Sequence, residues 1–101
     1  MELDLAADLP PPGLAPALAA LWWLKKGALR PGAAWERAHA ICQSHEGQRD
    51  TDLVHGLAHW IEGDLGNADY WYRRAGSLRG GAIAADWARI AAELGAEPPA
   101  D

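Results

Sequence analysis

The sequence predicts an all-α fold of about five short helices, arranged as antiparallel hairpins or a compact helical bundle, and three observations carry that prediction. Apolar residues recur at three- and four-residue intervals in five separate stretches. Gly or Pro bounds those stretches, and no segment alternates Val, Ile, Thr and aromatics as a half-buried strand would. The connections are short, as in "EGDLG" at 62–66, which makes consecutive helices antiparallel neighbours.

The first helix opens at Pro16, whose missing N–H is one that the first turn leaves unpaired anyway. Leu14, Leu18, Leu21 and Trp22 follow at helical spacing, Lys25 and Lys26 sit at the negative end of the dipole, and Gly27 is the stop. A second helix spans 33–45, with Ala34, Ala38, Ile41, Cys42 and His45 on one face and Trp35 beside them. "EGQRD" reads as a turn, and Asp50 or Thr51 as the cap of a third helix whose Leu53, Leu57, Trp60 and Ile61 share a face. Gly63 and Asp64 end it. A fourth helix opens near Asn67, with Asp64 and Asn67 as turn and cap residues. It carries Ala68, Trp71, Tyr72 and Ala75 inward and stops at Gly76. The glycine pair at 80 and 81 separates off a fifth, with Ile83, Trp87, Ile90, Ala91 and Leu94 on its stripe.

A chain of 101 residues is one domain, expected over 14–95. Proline clusters mark 1–13 and 96–101 as flexible tails. Phe is absent, so six Trp and two Tyr are the large anchors among many Ala and eleven Gly, a composition suited to close helix packing. The formal charge of −5 works against nonspecific attraction to nucleic acid or an anionic membrane, and neither partner is expected. Cys42 is the single cysteine, so no internal disulfide forms, and its place on an apolar stripe marks an inert buried thiol. The first residues are acidic where a signal peptide is positive, and the apolar run 14–24 is too short to span a bilayer. A cytoplasmic protein is expected.

Gly56, the turn at 63 and 64, Ala68, Tyr72 and Ala75 follow one another as the small and aromatic positions of a tetratricopeptide repeat do, and the segment from Gly56 to Ala75 resembles about one such repeat. The resemblance implies a helical hairpin that binds a protein partner. The chain departs from the family at Asp52, His55 and His59, where the repeat packs an aromatic, a Leu and a Tyr. Trp35, His39, Gln43, His55, His59, Glu62, Gly63, Asp64, Asn67, Ala68, Tyr70, Trp71 and Tyr72 form a second pattern. It resembles that of a set of short, uncharacterised bacterial proteins and implies no activity.

At about 100° per residue, His55, His59 and Glu62 fall in a narrow sector opposite the apolar face of the third helix. His-x-x-x-His is the spacing at which two imidazoles on one helix hold one metal ion. Glu36, His39 and Gln43 share a face of the second helix, so a hairpin could bring His39 to the pair. His39, His55 and His59 are thus candidate ligands for zinc or iron, with Glu62 as the nearby carboxylate. No cofactor is the simpler reading: the histidines lie on a solvated or partly buried face, hydrogen-bonded to Glu62 or Asp64. Trp23 and Tyr70 point away from the apolar stripes and are candidate contact residues, whereas Asp69 with Arg73 and Arg74 reads as an exposed salt-bridged face.

Two functions follow. One is a protein-interaction or assembly module, with a homodimer as one form of it, whose surface combines His39, His55, His59, Glu62, Tyr70 and Trp23. The other is a small metal- or ligand-binding protein, enzyme or not, built on the histidines. The sequence carries no phosphate loop and no Ser-His-Asp order that would name a reaction.

Overall fold

The computed structural model describes residues 4–96. Among them are five helices and no strand: α1 (Pro16–Lys26), α2 (Ala33–Ser44), α3 (Arg49–Ile61), α4 (Leu65–Arg74) and α5 (Ile83–Glu93). The all-α expectation therefore holds, with helix limits within a few residues of those read from the sequence. No helix among the described residues is long and apolar enough to cross a membrane.

The ends of the helices show where local chemistry differs from expectation. Gly27 has an ordinary φ of −84°, and the left-handed residues after α1 are instead Ala28 and Leu29, at φ 58° and 57°. Gly27 is needed for space: a Cβ there would stand 2.9 Å from the Cβ of Ala34, so the α1–α2 connection passes too close for any larger residue. Neither Asp50 nor Thr51 caps α3, which begins after Gln48 without a side-chain cap. Thr51 instead donates its hydroxyl back to the carbonyls of His45 and Gln48, which fastens the turn from inside the helix. Asp64 caps α4 as expected, accepting from the Asn67 N–H at 3.2 Å.

The order of packing is two hairpins and a closing helix. α1 pairs with α2 and α3 with α4, while α5 lies against α1 and α3. α3 alone touches all four other helices. Its burial is accordingly almost continuous, from Thr51 to His59, and the amphipathic division expected of it is absent. Three indoles bury their rings and give each N–H to a backbone carbonyl, which joins elements distant in sequence. Trp35 of α2 donates to Ala58 of α3 at 2.7 Å, and Trp87 of α5 donates to Leu21 of α1 at 2.9 Å. Trp22 reaches Asp4 at 2.8 Å. That last bond, with Lys26 Nζ donating to the Leu5 carbonyl at 2.8 Å, places residues read as a flexible tail against α1. At the other end Ala96 is buried in the core, while 97–101 lie outside the described residues, as do 1–3.

The α4–α5 side is fastened by a buried carboxylate. Asp86 accepts from the Tyr72 hydroxyl at 2.9 Å, the Gly80 N–H at 2.8 Å and Arg89 at 3.3 Å. Asp69 pairs with Arg79 at 2.7 Å rather than with Arg73, and Arg74 turns to the Tyr70 hydroxyl at 3.2 Å. The expected Asp69–Arg73–Arg74 face is therefore not formed, because the loop after α4 brings Arg79 back over the helix.

Candidate metal centre

His55 and His59 stand one turn apart on α3, and the packing of α2 across α3 adds His39. Their ring centroids lie 4.8 Å apart for the α3 pair, and 4.9 and 5.1 Å from His39 to His55 and to His59. One nitrogen from each comes within 4.8 Å of the other two. On a tetrahedral zinc with bonds of about 2.1 Å, two nitrogens are roughly 3.4 Å apart. The triad thus needs to close by no more than ~1.4 Å, within reach of small side-chain rotations.

Aromatic rings hold these imidazoles in place. Trp35 lies face to face with His39, with centroids 4.8 Å apart and planes at 14°, and its own ring is anchored by the bond to Ala58. Trp71 stacks on His55 at 4.1 Å and 18°, and the Arg74 guanidinium lies 4.9 Å from the centre of the Trp71 ring. Glu62, one turn beyond His59 at the end of α3, accepts from His59 Nδ1 at 2.5 Å. A carboxylate at Nδ1 puts the proton there and leaves the Nε2 lone pair free.

The electrostatics favour the neutral form at His55 and His39. Burial, aided by His59, His39 and Arg74, pushes the His55 imidazole down to about 3. His39 is lowered as well, because burial and His59 outweigh the attraction of Glu62, Glu36 and Glu46. Neutral imidazole is the form that binds a metal. His55 Nδ1 is a buried atom without a hydrogen-bond partner. Leaving a buried polar atom unpaired costs about 1–3 kcal/mol.

His39, His55, His59 and Glu62 are thus brought together, but the solvated helix face on which they were expected is not there. His55 is 2% exposed and His59 9%, because α3 runs through the middle of the molecule. Tyr70 is exposed and meets the site only at the edge of Trp71. Trp23 packs edge-on against Trp22 with Arg37 over its ring, so it belongs to the α1–α2 packing. Sequence reasoning missed Trp35 and Trp71 as walls of the site. Their signal was available in part: Trp35 precedes His39 by four residues, one helical turn.

Asp64 also comes within 4.8 Å of His59 and Glu62, but both its oxygens accept from Asn67. A cavity of about 330 Å³ lined by Asp69, Tyr72, Arg73, Leu78, Arg79 and Gly80 includes none of the histidines. Comparison with known protein families, with curated proteins and with solved structures finds no match to this chain.

Proposed function

We propose that this protein binds one transition-metal ion, zinc or ferrous iron, through His39, His55 and His59. The observation that carries the reading is the gathering of three imidazole nitrogens within 4.8 Å of one another, at a buried His55 whose Nδ1 has no hydrogen-bond partner. Imidazole donors suit zinc, iron, copper and nickel, and they do not suit the hard cations calcium and magnesium. The acidic charge and single unpaired cysteine support a cytoplasmic protein without a nucleic-acid or membrane partner.

Metal analysis of protein purified without a histidine tag tests this directly. About one equivalent of metal is expected, or micromolar or tighter uptake of zinc by the metal-free protein. His39→Ala should abolish binding while leaving the helical circular dichroism unchanged, since His39 is only partly buried. Protein that arrives metal-free and takes up no zinc, iron or nickel at micromolar concentration refutes the reading.

A second reading, a hairpin module for a protein partner or for self-association, is supported by α4, where Leu65 and Tyr70 are 45% and 46% exposed. The repeat-like segment from Gly56 to Ala75 includes both residues. Light scattering across a concentration series tests it. A strict monomer that captures no partner removes this reading and leaves the first untouched.

A further inference from the structure

We infer, resting on the metal-binding reading above, that the centre keeps one coordination position open to a small exogenous ligand, and that Glu62 is a positioning residue which aims His59 at the metal. Among the described residues the triad gathers no fourth His, Cys, Asp or Glu within the same 4.8 Å. Three protein donors leave a tetrahedral ion one position short, and in proteins that position is taken by water or substrate. Glu62 is the nearest claimant, but its oxygen is engaged on the Nδ1 side of His59, away from the ring nitrogen left to bind. A carboxylate so placed fixes the tautomer and orientation of its histidine and raises its basicity, and losing such a partner typically weakens metal binding 10–100-fold.

The exposure of the surrounding groups says from which side a ligand enters. Trp71 covers His55, and both are buried. The accessible edge is the one formed by partly buried His39, by His59, whose side chain is 11% exposed, and by Glu62, at 34%. With so little of the imidazoles exposed, the ligand class is water or a small monodentate donor such as azide.

Cobalt(II) is the probe, loaded into untagged metal-free protein and followed by its visible d–d spectrum, with azide as the exogenous ligand. The expected result is a cobalt spectrum that azide shifts saturably. Glu62→Ala should weaken cobalt binding 10–100-fold, whereas Glu62→Gln, whose amide oxygen still accepts from Nδ1–H, should stay within a few-fold of the native protein. In the metal-free state Glu62→Gln should melt with the parent and Glu62→Ala below it, for the partner that His59 Nδ1 loses. Failure to bind cobalt overturns the metal reading itself. Binding with a spectrum indifferent to azide overturns only the open position. Azide sensitivity that appears only in Glu62→Ala overturns the positioning role, because it makes Glu62 the fourth ligand. Equal affinity in Glu62→Ala also overturns that role.

Discussion

Gly56 sits in the middle of α3, where helix propensity alone would favour alanine by about 0.8–1.0 kcal/mol. The structure predicts the opposite outcome for Gly56→Ala. A Cβ at this position would stand 2.5 Å from Cδ2 of Tyr72 and 3.0 Å from the Ala68 carbonyl, against an ordinary contact of about 3.5–4.0 Å. Relief requires α4 to retreat by about 1 Å. Tyr72 cannot swing aside, since it is fully buried and its hydroxyl is tied to Asp86 at 2.9 Å. Overpacking of this kind costs about 1–3 kcal/mol, and a displacement so large belongs at the upper end. Subtracting the propensity gain leaves a net loss of about 2 kcal/mol, or a melting temperature lower by roughly 8–16 °C for a domain of this size. Thermal and urea unfolding followed by circular dichroism at 222 nm measure it. Gly66→Ala is the matched control, because its Cβ meets nothing closer than 3.9 Å, and it should raise stability by up to ~1 kcal/mol. A double-mutant cycle with Tyr72→Leu should show coupling of at least about 1 kcal/mol. A Gly56→Ala protein as stable as the parent would refute the close approach of α3 and α4.

Trp87→Phe keeps an aromatic ring but removes the indole N–H that donates to the Leu21 carbonyl, a bond additional to the carbonyl's place in the α1 ladder. A loss of about 0.5–1.5 kcal/mol is expected in urea unfolding, and no loss would mean that the bond does not join α5 to α1. Asp86 predicts an acid limb. Burial raises its carboxyl, but the donors from Gly80, Arg89 and Tyr72 outweigh burial and hold it below the usual range. Its folded pKa is thus below the unfolded value of about 3.9, so its stabilisation is present above that pH and is lost as pH falls through the folded pKa. Urea midpoints measured from pH 5 to 2.5 should fall, and Asp86→Asn should flatten that fall; an unchanged slope would remove Asp86 as its source. Cys42 is fully buried and burial pushes its thiol up to about 12, so a disulfide reagent at pH 8 should modify it only in denaturant. Rapid modification of the native protein would contradict that packing.

The sequence revealed most where local chemistry decides. Pro16 at the start of α1, Asp64 at the cap of α4, and Gly63 and Gly76 with positive φ after α3 and α4 stand where their side-chain properties require. It failed where tertiary placement decides. Periodicity divides α3 into an apolar and a polar face, and nothing local says that a polar face will also be enclosed by neighbours. Asp50 and Thr51 are good capping types, yet Thr51 is drawn inward to the turn carbonyls instead. The pairing of His55 and His59 was legible from their spacing, and the approach of His39 followed from a hairpin. The stacked Trp35 and Trp71 were hidden behind their equal suitability as core.

The polar residues that α3 buries divide into those the fold satisfies and one that it does not. Thr51 donates to His45 and Gln48, Asp52 accepts from the Gly47 N–H at 3.1 Å, and His59 bonds Glu62. Each of these replaces the hydrogen bonds it gave up to water. His55 does not, although it is as buried as Asp52 and is pressed between Trp71 and His59. A leucine or methionine there would fill similar space without the penalty of an unpaired nitrogen. Packing alone therefore accounts for Val54 and Leu57 but not for an imidazole between them. Set within 4.8 Å of two other imidazoles, His55 is the residue that most supports the metal site proposed above, since a metal ion accepts lone pairs from several imidazole nitrogens at once.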